Sequence, residues 1–343
     1  MHPEVISSID PPPNPDGLFP FTCTRPVLDI RIGILTLREK WNLLFPEGKP
    51  PGLPDDLLPN LALAGQIRRE GAATGLPSLP IAGALRLTRP WHLFQHNDQA
   101  LRDDFALLTD GRQSAPIPDT VQTINPTSIF IEEGARIHHS MLNAGTGPIY
   151  IGRNTEIMEG CLIRGPFALC EGAVVKMGAK IYGATTIGPC STAGGEIKNS
   201  ILFGYSNKGH DGYLGDSVIG EWCNLGAGTS NSNLKNSAGD VMVWDASTSQ
   251  FIGAGLKCGL LMGDYSRAAI NTSFNTGTIV GVCCNVFGEG LTPKYIPHFS
   301  WGQKGDTKYV FEKALQDIAN WKKLKNQSLT DAEIRTLEHI FGK

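Results

Sequence analysis

Seven aliphatic positions, Ile151, Ile157, Ile163, Leu169, Val175, Ile181 and Ile187, lie six residues apart without a break, and no other feature of this chain restricts its fold so sharply. A six-residue repeat of this kind builds a parallel β-helix, in which each short strand presents one aliphatic side chain inward and stacked coils share one core. Glycine follows the aliphatic position at Gly152 and Gly188 and sits two to four places on at Gly160, Gly165, Gly172, Gly178 and Gly183, where the chain turns and a side chain would obstruct it. The chain holds 40 glycines in 343 residues, concentrated after residue 130. The same register returns at Ile219-Gly220 and Leu225-Gly226, and again at Met262, Ala268, Phe274, Val280 and Val286. It fails over residues 194–215 and 231–255, which reads as two loops leaving a rigid coil, the places where sites are built.

Residues 1–118 have a different texture, broken by Pro11-Pro12-Pro13, Pro50-Pro51, Pro54, Pro59, Pro77 and Pro80 into short elements of a small α/β domain. Helical character is expected within Gly33 to Trp41 and again over Gln99 to Leu108, with a linker from Thr109 to Asp119. The β-helix is expected over 119–306. The tail, 307–343, switches to a helical period with Phe311, Leu315, Ile318 and Leu324 in one run and Ile334, Leu337, Ile340 and Phe341 in a second, which Thr330 and Glu333 open as a capping box. A formal charge of −3 is too neutral for a dedicated nucleic-acid binder, and no stretch approaches a membrane span or a signal pattern, so a cytoplasmic protein is expected. The eight cysteines contain no CxxC pair and read as reduced, small core residues.

The chemistry is concentrated in Gly195-Glu196-Ile197-Lys198, in Tyr205 to Asp216 with His210 and Tyr213-Leu214-Gly215-Asp216, and in Leu225-Gly226-Ala227-Gly228-Thr229. A histidine that titrates near neutrality can take the proton an amine loses on attacking a thioester, backbone N–H groups can hold the oxyanion, and lysines at 198 and 208 supply charge for a phosphate. These motifs resemble the C-terminal half of the bifunctional glucosamine-1-phosphate N-acetyltransferase / N-acetylglucosamine-1-phosphate uridylyltransferase family. The resemblance implies a left-handed β-helix, assembled as a homotrimer with acyl sites between neighbouring prisms. It also implies His210 as general base, Lys198, Lys208, Tyr213, Asn224 and Asn233 as substrate-binding residues, and Ala227 as the point where backbone meets acetyl-CoA. The family's loop lysine stands three residues before the histidine; here Lys208 stands two before it. No metal is expected at this site, since His138 and His139 are adjacent and His92 and His96 lack the Glu of a zincin helix.

The segment Phe19 to Gly33, with Arg38-Glu39-Lys40-Trp41 and Thr88-Arg89-Pro90-Trp91, resembles the N-terminal part of a shortened bacterial variant of the same family. Arg25, Arg31 and Lys40 could cradle a triphosphate, or merely pair with Asp29 and Glu39. The expected reaction is acetyl transfer from acetyl-CoA to the amino group of a sugar 1-phosphate, glucosamine-1-phosphate first, in nucleotide-sugar biosynthesis. The alternatives are nucleotidyl transfer from UTP or dTTP with Mg²⁺ through the N-terminal domain, and a trimeric sugar-nucleotide-binding scaffold without turnover.

Overall fold

All seven six-spaced aliphatics point inward and are at most 2% exposed. The computed structural model describes residues 15–74 and 84–342; the expected breaks at Pro11, Pro12, Pro13, Pro77 and Pro80 lie outside the described residues. Among the described residues the chain winds into a three-sided parallel β-helix. Its first face carries nine parallel strands, from Ile129–Ile131 to Tyr295–Ile296, and its second carries eight, from Arg136–Ile137 to Asn285–Val286. The third face carries six strands, from Gln122–Ile124 to Tyr213–Gly215, and the pair Ser230–Asn231 with Ser273–Phe274 lies beyond them. Each inward side chain stacks on its equivalent one coil away, Ile151 on Leu169 on Ile187, Ile157 on Val175 on Ala193, and Ile163 on Ile181 on Ile197. Each fully buried aliphatic contributes about 1.5–3 kcal/mol, and the columns merge into one core. The mainly β solenoid expected from the hexads is the fold of the molecule.

Residues 194–215, expected to leave the coil as a loop, remain in it as the strands Glu196–Lys198, Ile201–Leu202, Asn207–Lys208 and Tyr213–Gly215. The hexad disappears here because the coil is shortened at its edges: Ile187 pairs with Leu202, fifteen residues on, and Ile197 with Leu214, seventeen on. Shortening draws the backbones together, and a Cβ at Gly188 would lie 1.5 Å from the Phe203 carbonyl oxygen. Lys208 occupies an inward position, in register with Ala193. The second interruption does leave the stack. Asn231 turns its amide inward, accepting from the Gly215 N–H at 2.9 Å and donating to the Gly215 carbonyl at 3.0 Å. The chain then projects the antiparallel hairpin Met242–Asp245 with Gln250–Gly253 before the first face resumes at Leu260–Met262.

The N-terminal segment contributes a two-stranded ribbon and the helices α1 (Leu37–Leu44), α2 (Leu61–Thr74), α3 (His92–Gln95) and α4 (Asn97–Thr109). A Thr36–Glu39 capping box starts α1, which buries Leu37, Lys40, Trp41 and Leu44. Leu18, Phe21, Ile30, Ile32 and Trp91 pack with Ile201, Phe203, Val218, Leu261 and Ile279, so this segment covers the outside of the first face. The helices α5 (Phe311–Lys323) and α6 (Asp331–Phe341) cover the edge between the first and second faces, the latter opened by the expected Thr330–Glu333 box. At this edge Cys190, Tyr205, Trp222, Tyr265, Cys283 and Phe299 all have φ between 54° and 61°. A left-handed conformation costs a side-chain-bearing residue about 1–2 kcal/mol, and packing under α5 and α6 offsets it. No helix among the described residues is long and apolar enough to cross a membrane.

Candidate active site

His210 and Ala227 lie at the edge between the second and third faces. His210 lies between the strands Asn207–Lys208 and Tyr213–Gly215, is exposed, and has no hydrogen bond from its ring to another described residue. Gly212 turns the chain toward Tyr213 with φ of 123°, and a Cβ there would stand 2.1 Å from the Thr229 carbonyl oxygen, so only glycine fits. The next coil passes the same edge with Ala227 exposed; the Gly228 N–H donates to the Asp211 carbonyl at 3.0 Å and the Asn271 N–H to the Ala227 carbonyl at 2.7 Å. Stacked main chain therefore fixes this edge while leaving the imidazole free.

Where the third-face strand Tyr213–Gly215 ends, the nearly buried Asp216 carboxylate organises a polar cluster. Asn199 donates its amide to one oxygen at 2.7 Å, and Asn233 donates to the other and to the Tyr213 hydroxyl at 3.1 Å. Burial and the Asp216 charge push the Tyr213 phenol up to about 12, so it stays a proton donor at neutral pH. One row away, Tyr182 donates to Glu196 at 2.6 Å, which with burial raises its phenol to about 12, and the Lys198 ammonium sits 5.8 Å from the Tyr182 ring centre. Tyr213 and Asn233 are thus in contact, and Lys198 lies one row away in register with Gly215. Asp216 and Glu196 stood inside the motifs without a role assigned to them; Tyr182 and Asn199 carried no sequence signal, because each acts through a neighbour in the adjacent coil.

Two expected substrate contacts sit elsewhere. Asn224 lies on the second face, in register with Asn207 and Arg267, on the coil that carries Ala227 rather than in the Asp216 cluster. Lys208, expected at the sugar phosphate, is 1% exposed, with its ammonium donating to the carbonyls of Gly194, at 3.2 Å, and His210. Its inward register position turns it away from solvent, and burial pushes it down to about 8.

The three N-terminal cations expected to cradle a nucleotide do not form one cradle. Arg25 pairs with Glu221 at 2.8 Å and with Asp264, beneath the Phe203 ring. Arg31 donates to the Ile34 carbonyl and lies 3.6 Å from Glu39. Lys40 is buried against Asp104. Each is neutralised within the chain, as a buried cation has to be. Among the described residues no group of three or more His, Cys, Asp or Glu side chains is placed to hold a metal ion, and the carboxylates nearest Arg25 are engaged by it.

A family model described as sugar nucleotidyl transferase matches residues 13–50. The bifunctional protein GlmU of Synechococcus elongatus is 24% identical over 201 residues, covering 52% of this chain and 44% of that protein. The GlmU proteins of Methanocaldococcus jannaschii and Thermus thermophilus are 33% and 30% identical over 118 and 138 residues, covering 28% and 30% of their own lengths. This chain therefore aligns with less than half the length of these relatives. Among solved structures, the UDP-N-acetylglucosamine acyltransferase of Francisella novicida aligns over 66% of this chain and 86% of its own, at 15% identity and a TM-score of 0.32. Over the stretches that align, the chain is similar to the bifunctional GlmU proteins, and at residues 13–50 it is similar to the sugar nucleotidyl transferase family.

Proposed function

We propose that this protein transfers an acetyl group from acetyl-CoA to the amino group of a sugar 1-phosphate, with glucosamine-1-phosphate as the first candidate. The observation that carries the reading is the exposed His210 ring, without a hydrogen bond to another described residue, on the coil whose third-face strand ends in the Asp216–Asn199–Asn233–Tyr213 cluster. In the proposed reaction the substrate amine attacks the thioester carbon as His210 takes its proton. The C–N bond forms, the tetrahedral intermediate collapses with loss of the C–S bond, and the proton passes from His210 to the departing CoA thiolate. Lys198 offers its charge to the phosphate, Tyr213 and Asn233 offer hydrogen bonds to the sugar, and the backbone at Ala227 meets the acetyl-CoA. Met177 and Ile270, 69% and 68% exposed on the same edge, support the homotrimer in which a neighbouring prism would close the site.

Mass spectrometry of purified protein with glucosamine-1-phosphate and acetyl-CoA, beside His210→Ala, tests the proposal. Acetylated sugar phosphate formed by the parent and lost in the variant is the expected result. No acetylation by the parent would sink the glucosamine-1-phosphate assignment, and acetylation that survives in His210→Ala would remove the base. A second reading, nucleotidyl transfer through residues 1–118, is favoured by the family match at 13–50 and opposed by the internal pairing of Arg25, Arg31 and Lys40. Addition of UTP and Mg²⁺ to the acetylated product decides it, since a UDP-sugar appears only if that segment turns over. A scaffold without turnover would bind the sugar nucleotide equally well with and without His210.

A further inference from the structure

Lys208 stands in an inward column whose neighbours in register are aliphatic, Val175 and Ala193 in the preceding coils. An apolar side chain fills such a position at no electrostatic cost, whereas an ammonium there must be compensated by acceptors. Its two acceptors are the carbonyl oxygens of Gly194 and His210. The first belongs to the coil below, and the second is the main chain of the residue whose imidazole projects from the edge. The Asp211 and Gly212 carbonyls on the far side of His210 are held by the N–H groups of Gly228 at 3.0 Å and Glu196 at 3.3 Å, whereas Gly209 has no side chain and the His210 carbonyl is held, among the described residues, by the Lys208 ammonium.

We propose that Lys208 is a positioning residue for His210. From inside the coil its ammonium ties the His210 carbonyl to the Gly194 carbonyl and so fixes the direction in which the imidazole leaves the edge. Ala193, with a single methyl one coil away, leaves room for the lysine stem to run between the coils. The kinetic consequence rests on the acetyl-transfer reading, and the contact itself does not.

Lys208→Met keeps the volume and removes the donors, while Lys208→Gln keeps an amide donor. With glucosamine-1-phosphate and acetyl-CoA, Lys208→Met is expected to lower kcat about 10- to 100-fold, the scale of a small misplacement of a reacting group, with KM for the sugar phosphate moving less than about twofold. Lys208→Gln should recover part of kcat, and Lys208→Met should cost nothing further in a His210→Ala background. A raised KM at constant kcat would make Lys208 a phosphate ligand and overturn the proposal, as would unchanged kinetics with only a lowered Tm. If the parent itself does not turn over, the acetyl-transfer reading fails, and carbon–proton spectra of histidine-labelled protein still test the contact. Among eight histidines, the His210 signal, assigned by its loss in His210→Ala, should shift in Lys208→Met while the other seven hold. An unmoved His210 signal refutes the positioning role, and Lys208→Gln is read in the same way should the Met variant not fold.

Discussion

Cutting the ion pair between Lys40 and Asp104 separates a structural cation from a nucleotide ligand and measures how firmly the N-terminal segment is held. The two side chains are 1% and 2% exposed, and Asp104 also accepts from the backbone N–H groups of Ile34 at 2.7 Å and Leu35 at 3.1 Å. Burial pushes the Asp104 carboxyl up and the Lys40 ammonium down. Lys40→Met leaves a carboxyl that keeps both N–H donors and can take up a proton, so its cost should fall near the low end of the range for a broken buried pair, about 3 kcal/mol. Asp104→Ala strands an ammonium together with two N–H groups, and charge and donors together should cost about 5 kcal/mol or more, comparable with the whole stability of many domains. The double change Lys40→Met with Asp104→Asn keeps an acceptor and removes both charges, and should lie within about 2 kcal/mol of the parent. Urea unfolding followed by tryptophan fluorescence gives the three values, and hydrogen exchange over residues 30–44 and 97–109 locates the damage. The reasoning fails if Asp104→Ala proves no worse than Lys40→Met. It fails equally if Lys40→Met leaves stability intact while weakening UTP binding, because Lys40 would then be a nucleotide ligand after all.

Gly188→Ala would drive a Cβ to 1.5 Å from the Phe203 carbonyl oxygen, whereas Gly178→Ala meets nothing within 4 Å and carries only the left-handed penalty of about 1 kcal/mol. Thermal melts should show Gly188→Ala unfolded or grossly destabilised beside a nearly unaffected Gly178→Ala, and similar melts would disprove the short-coil packing. Burial covers six of the eight thiols, leaving Cys23 and Cys190 partly accessible, and pushes Cys170 to about 11 and Cys284 to about 12. An aromatic disulfide reagent at mild alkaline pH is therefore expected to titrate at most two thiols in the folded protein and all eight in denaturant; rapid labelling of more would mean the coils open. Lys208, lowered from 10.5 to about 8 by burial, holds fewer protons in the folded than in the unfolded chain between those values. Stability should therefore rise by up to about 3 kcal/mol as pH climbs through that window, and Lys208→Met should lose the rise; denaturant midpoints at several pH values decide it.

The solenoid was legible because its inward columns from Ile151 to Ile187 are aliphatic and its coils there have constant length. Legibility ended at Gly188, where the coil contracts and Lys208 and Asn231 take inward positions: each satisfies backbone groups inside the prism, and neither has an apolar signature. Motif spacing singled out His210, Tyr213, Asn233 and Lys198, of which Tyr213 and Asn233 meet directly. It could not place Asn224 on another face, nor reveal Asn199 and Tyr182, since contact between coils is set by register rather than by distance along the chain. The triphosphate cradle failed for a related reason. Arg25 finds Glu221 and Asp264 across roughly 200 residues or more, and local sequence offers no hint of either partner.

Those partnerships carry a consequence for biosynthesis. Thr24 and Arg25 both bind Asp264, separated from it by 240 and 239 residues. At about 5–20 residues per second on the ribosome, roughly 10–50 s pass between emergence of the latch and synthesis of its catch. Throughout that interval Leu18, Phe21, Ile30 and Ile32 have no completed first face to lie on, so the nascent chain presents an apolar segment still without its packing partners. Thr24 and Arg25 are secured only once Asp264, 240 and 239 residues later, has been made.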